Sequence, residues 1–197
     1  MAILKIARMG HPVLMSPARE IANPTDPAVH ALINDMVETM LDAPGVGLAA
    51  PQVHVPARIV VFHIPEGRGG EGEGEGGVPL TALINPKIEL IGDEVEDGVE
   101  GCLSLPEMAG TVSRHTRIRY TAKAPDGSTI ECEATGFHAR VVQHECDHLD
   151  GILYPMRMTD LSTLGYSEEM SKGIEIEDGP VDGPVDGPEE AADARAD

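Results

Sequence analysis

The amino-acid sequence predicts an α+β domain: a mixed or antiparallel sheet around a central helix that carries His144-Glu145-Cys146-Asp147-His148, with one amphipathic helix earlier in the chain. Three observations lead there. A strong helical period of apolar residues comes first, several β-like runs follow with no helix between them, and a second helical segment arrives late. Strands segregated from helices favour α+β over the alternating order that builds parallel sheets.

The early helix is read from Pro27 to Asp42, where Val29, Leu32, Ile33, Met36, Val37, Met40 and Leu41 recur at the three-and-four spacing of one buried face. Asp26 is placed to cap its first turn, Pro27 suits the first helical position, and Pro44-Gly45 stops it. Short β-like runs follow at Ala57 to Ile64, Leu80 to Asn85 and Lys87 to Ile91. A hairpin signal lies further on. Ile118, Tyr120, Ala122 and Ala124 alternate with Arg117, Arg119, Thr121 and Lys123, a Pro125-Asp126-Gly127 turn intervenes, and Ile130, Cys132 and Ala134 alternate with Glu131 and Glu133. The outward faces of the two runs carry opposite charge, which suits cross-strand pairing. The late helix is expected from Gly136 to Asp150, ended by Gly151.

Two segments fall outside this pattern. Gly67 to Gly77 interleaves glycines with Arg68, Glu71, Glu73 and Glu75 and is read as a surface insertion. From Ser167 to Asp197, eleven acidic residues face only Lys172 and Arg195, and Asp-Gly-Pro recurs from 178, 182 and 186. That stretch is read as an acidic low-complexity tail, leaving residues 1–166 as the folded domain. The tail accounts for −9 of the formal net charge of −20.

This charge balance argues against a surface that coats nucleic acid and offers no polybasic patch for a membrane. Three cysteines make an odd, sparse set, so a disulfide framework is not expected and a reducing, cytoplasmic setting is. Lys5 and Arg8 interrupt the only apolar stretch near the N-terminus, which therefore does not read as a signal peptide.

Three segments carry chemistry. On a helix, His144 and His148 stack one turn apart and can reach one ion, while Glu145 lies close enough to address a water there. The alternative is a pair of surface histidines near acids by chance. A catalytic ion takes about three protein ligands and keeps an open position. Cys146 lies on the far side of the helix from His144, and Cys132 sits on the apolar side of a strand. Cys102, in Glu100-Gly101-Cys102-Leu103-Ser104-Leu105-Pro106, is the better third donor, although the residues alone leave a structural role open. The last segment, Gly45-Val46-Gly47-Leu48-Ala49-Ala50-Pro51-Gln52, lets another chain approach the backbone closely, and Gln52 could donate to a carbonyl oxygen. It lacks the Gly-Lys-Ser/Thr ending of a phosphate loop.

Together GVGLAAPQ at 45–52, EGCLSLP at 100–106 and QHECDHLDG at 143–151 resemble the three signature motifs of the peptide deformylases, in that family's order and at similar separations. The likeness covers roughly Met1 to Asp160. It implies hydrolysis of the formyl group from N-formyl-methionyl nascent peptides. It also implies Cys102, His144 and His148 as metal ligands, Glu145 as the group that takes and returns a proton, and Gln52 with the backbone N–H of Leu103 as donors to the oxyanion. Val46, Gly47, Val141 and His144 would border the substrate. The softness of two imidazoles and a thiolate points to zinc, whereas the resemblance implies Fe²⁺, with zinc or another divalent ion as substitute. The ribosome is a further expected partner, with no direct nucleic-acid or membrane binding. One departure stands out. The family often carries an arginine shortly after the cysteine motif, but here Glu107-Met108-Ala109-Gly110 follows and the next arginine is Arg114. Two rival readings remain: a zinc peptidase with Glu168 as third ligand, and a deformylase-like fold retained only for binding.

Overall fold

A computed structural model describes residues 2–67 and 77–172 of the chain. The helix α1 spans Pro27–Asp42 and is followed by strands β1 (Gly47–Ala49), β2 (Ile59–Ile64) and β3 (Val78–Leu90). Next come β4 (Val95–Cys102), β5 (Leu105–His115), β6 (Arg117–Lys123), β7 (Thr129–Thr135) and the helix α2 (Gly136–Leu149). The described chain closes with β8 (Gly165–Tyr166) and a single turn, α3 (Ser167–Met170). The predicted Gly/Glu-rich insertion falls mostly on residues 68–76, and most of the predicted tail on 173–197, outside the described residues. Ser167 to Lys172, which the sequence assigns to the tail, lies within them.

Five strands form one sheet in the order β1-β2-β3-β6-β7, and β4-β5-β8 form a second. Every ladder between strands is antiparallel, so of the two expected sheet types the antiparallel one is observed. The larger sheet is covered on both faces. Val60, Phe62 and Ile64 of β2 join Leu83, Ile118 and Tyr120 against Ala139, Val142, Cys146 and Leu149 of α2. The alternate residues Ile59 and Val61 join Ile84 against Val29, Ile33, Met36 and Met40 of α1. Successive side chains of a strand point to opposite faces. A strand buried on both must therefore be largely apolar, as β2 is at every position except the half-buried His63.

The helix ends follow the local chemistry read from the sequence. Asp26 accepts a 2.8 Å hydrogen bond from the Ala28 N–H and Pro27 opens α1. Gly151, at φ +75°, takes the left-handed conformation just beyond α2. In the β6–β7 hairpin Arg119 stands opposite Glu133, and the Gly127 N–H closes the turn onto the Ala124 carbonyl at 2.9 Å. Arg117 and Arg119 both pair with Glu133 on the solvent face.

The structure differs from the sequence reading at several places, beginning with β3. The runs at 80–85 and 87–91 are one strand, β3, with a register shift between Ile84 and Lys87. Leu41, counted with the buried stripe of α1, is exposed. The β4–β5 pair was not foreseen at all. Acids and glycines interrupt β4, and it is the edge strand of its sheet, so no apolar alternation marks it. That pair matters most for function, because its turn presents Cys102 to α2.

Candidate active site

Buried histidines on one helix face and a cysteine on a strand end meet where the two sheets approach. Cys102 is the last residue of β4, and a register shift between Gly101 and Cys102 turns its side chain toward α2. The Cys102 thiol sulfur and one ring nitrogen each from His144 and His148 lie within 4.8 Å of one another. Among the described residues no other group of histidine, cysteine or acidic side chains does this. His148 Nε2 stands 3.3 Å from Cys102 Sγ, and the two imidazoles meet edge to face at 5.0 Å. Two imidazoles and a thiolate on one side of a cleft fit a tetrahedral ion with one position left for water. Cys146, as the helix geometry requires, points away into the core, where burial pushes its thiol pKa up. Cys132 is half-buried against the same core.

The donors are held by a buried ion network. The Nδ1 of His144 lies 2.8 Å from Glu100 Oε2, which leaves Nε2 for an ion. Glu100 is also clasped by Arg114 through two hydrogen bonds of 2.9 Å and by Arg140 at 3.0 Å. Arg114 in turn reaches Asp147 on α2, which pairs with Arg157. Burial alone would raise the Glu100 carboxyl, but the hydrogen bonds from Arg114 and His144 outweigh it and bring the pKa down to about 2. Glu100 is therefore a fixed anion, and it sets the tautomer of His144 when the ring is neutral.

Glu145 is fully inside. Burial pushes its carboxyl up to about 7, and its Oε2 is buried with no hydrogen-bond partner among the described residues. A carboxyl poised near neutrality suits proton transfer in both directions. Gln52 is oriented from behind, because its Oε1 accepts from the Ala49 N–H at 2.8 Å and its amide nitrogen is thereby aimed at Cys102 Sγ (3.4 Å) and Ser104 Oγ (3.2 Å). Leu103 sits in the tight turn between β4 and β5, beside these groups. A cavity of about 510 Å³ opens in front of them, and Val46, Gly47, Val141 and His144 all line it, as do Phe137 and Glu107.

Gly47 has a second constraint beyond approach to a ligand. A Cβ added there would sit 2.6 Å from the carboxyl carbon of Glu145. Only glycine leaves that carboxylate its room.

Sequence reasoning brought all the named residues to one place, but it missed the groups that hold them. Glu100 was visible inside its motif without a role. Arg114, noted only as an arginine displaced along the chain, is 5 % exposed and committed to Glu100 and Asp147. Ser104 was also overlooked, although its N–H approaches Cys102 Sγ at 3.4 Å. The adjacency of Glu100 and Ser104 to Cys102 was the available signal. Glu168, the third ligand that a peptidase reading needs, is exposed and pairs with Lys172, apart from the cluster.

An α+β domain with a helix-borne His-Glu-x-x-His, a strand-borne cysteine and a positioned amide defines a metal-type amide hydrolase by its geometry. The comparisons make this specific. A family model described as polypeptide deformylase matches residues 3–163. Peptide deformylase 1 of Bordetella pertussis is 51% identical over 163 residues, covering 83% of this chain and 92% of its own. Peptide deformylase 1 of Nitrosomonas europaea is 45% identical over 179 residues, covering 89% and 99%. The Met-Ala-Ser-bound class I type b peptide deformylase from Acinetobacter baumannii superposes with a TM-score of 0.72 at 31% identity, over 80% of this chain and 99% of that one. The chain belongs to the peptide deformylase family. It is a hydrolase that removes the formyl group from N-formylmethionine at the start of nascent peptides.

Two outcomes follow from this geometry. Gly47→Ala is expected to lower kcat/KM by about 10²-fold through displacement of Glu145 while the bound metal, measured by elemental analysis, stays near one per chain. Arg114→Met leaves Glu100 and Asp147 without their shared cation, and urea unfolding is expected to show a loss of about 3–5 kcal/mol.

Proposed function

We propose that Cys102, His144 and His148 hold one divalent ion and that Glu145, Gln52 and the Leu103 backbone act on the formyl group. The observation that carries this is the convergence of three soft-to-intermediate donors with an unpartnered buried carboxylate beside them. When bound, such an ion lowers the pKa of a coordinated water and polarises a carbonyl oxygen. Glu145 takes the proton from the attacking water and returns it to the leaving amine, a double task suited to its raised pKa. The Gln52 amide and the Leu103 N–H donate to the oxygen of the formyl carbon as it gains charge. Each such donor contributes on the order of 10²–10³ in rate. Val46, Phe137 and Val141 give the methionine side chain an apolar wall, and Gly47 leaves space for the substrate main chain. The Met-Ala-Ser peptide bound to the Acinetobacter baumannii relative supports a methionyl peptide as the ligand of this cleft.

Fe²⁺ is our choice of native ion, with zinc or another divalent ion as substitute, following the family likeness rather than ligand softness alone. All three cysteines are free, which accords with a reducing cytoplasm and with work on chains emerging from the ribosome. Among the described residues no helix is long and apolar enough to cross a membrane.

The test is formate release from a formyl-Met tripeptide by protein purified without oxygen, alongside Glu145→Ala. Wild type is expected to release formate and the variant to lose at least about 10³-fold, while both keep their metal. A metal-loaded wild type that releases no formate would overturn the assignment.

A further inference from the structure

A second cavity, of about 910 Å³, adjoins the catalytic cleft. The two share Leu103 and Pro106 as lining residues, so the turn that presents the oxyanion donor is also the sill between them. The outer wall of this groove is the N-terminal segment. The Ala7 N–H donates to the Gln52 carbonyl at 2.7 Å and the Met9 N–H to the Ser104 carbonyl at 2.8 Å. Lys5 and Arg8 are thereby fixed next to the backbone of the catalytic residues.

The lining of the groove is basic and partly apolar. Lys5 and Arg8 are exposed and make no ion pair among the described residues, and His11 and His54 stand beside them with ring centroids 4.6 Å apart. His54 adopts φ +65°, a left-handed backbone uncommon outside glycine, at the end of the turn that carries Gln52. A single carboxylate, Asp42, lines the same space. Two cations against one acid make a local excess of positive charge on a chain whose formal net charge is −20. Ile3, Leu4 and Ile6 supply apolar surface between the charges.

We infer that this groove binds the downstream part of the substrate, roughly the fourth to seventh residues of a formylated chain, and favours acidic side chains there. The inference rests on the catalytic reading given above. The occupant follows from continuity: a peptide whose formyl-methionine is in the cleft can leave over the Leu103–Pro106 sill directly into the groove. The preference for acids follows from charge, since Lys5 and Arg8 make no ion pair among the described residues.

The experiment compares three substrates at low salt: formyl-Met-Ala-Ser, and two formylated heptapeptides that begin with it and continue in either four acidic residues or their amide counterparts. Two exposed ion pairs are worth about a three- to five-fold difference. The acidic heptapeptide is therefore expected to have a kcat/KM higher than the amide one by that factor, through KM rather than kcat. The gap should close near ~0.5 M salt, where such charges are screened. Lys5→Gln with Arg8→Gln should erase the preference, and Lys5→Glu with Arg8→Glu should invert it, relative in each case to the same variant's tripeptide turnover. Equal kcat/KM for the two heptapeptides in wild type would overturn the inference, as would a preference that survives charge reversal. Failure of wild type on the tripeptide itself would instead overturn the catalytic reading and this one with it.

Discussion

Glu100 is the charged centre of the contact between the smaller sheet and α2. From β4 its carboxylate reaches Arg114 on β5, Arg140 on α2 and the Nδ1 of His144, all within 3.0 Å. Burying an anion costs several kcal/mol unless charge and hydrogen bonds answer it. Here two guanidinium groups and an imidazole do so, which explains why so polar a cluster persists between two apolar cores. The smaller sheet is pinned to the helix by this carboxylate together with the bonds from Arg140 and Gln143 to its backbone, and that pinning holds Cys102 beside His144 and His148.

The same cluster separates the duties of neighbouring residues on one helix. His144 is tied to a fixed anion, Asp147 is matched by Arg114 and Arg157, and Cys146 is folded into the core. Glu145 alone is left with a buried oxygen that has no partner among the described residues. Four consecutive side chains of α2 therefore face four different environments. The one proposed to gain and lose a proton is the one whose charge is not already settled.

Much of this was legible in the sequence where chemistry is local. Capping at Asp26, the stop at Gly151, the Pro125-Asp126-Gly127 turn and the alternation of β6 and β7 depend on neighbours along the chain, and each is found as read. The meeting of the cleft residues was legible too, because helical spacing brings His144 and His148 together and the motifs single out Cys102 and Gln52. What escaped was set by distant partners. Arg114 is 14 residues from Glu100 and 33 from Asp147, and a buried arginine looks the same in sequence as an exposed one. The edge strand β4 escaped for a related reason: it buries little on either side, so its strand character comes from pairing with β5 rather than from its own pattern.

Cys102 hangs from the smaller sheet, while His144 and His148 belong to the helix packed on the larger one. An ion held by all three atoms, as proposed, would be a rivet through two layers that the unfolded chain lacks. Mass action then makes the folded state more stable by RT ln(1 + [ion]/Kd), about 2.7 kcal/mol when free ion is 100 times its Kd. Metal supply would in this way govern how long each molecule endures as well as how fast it works.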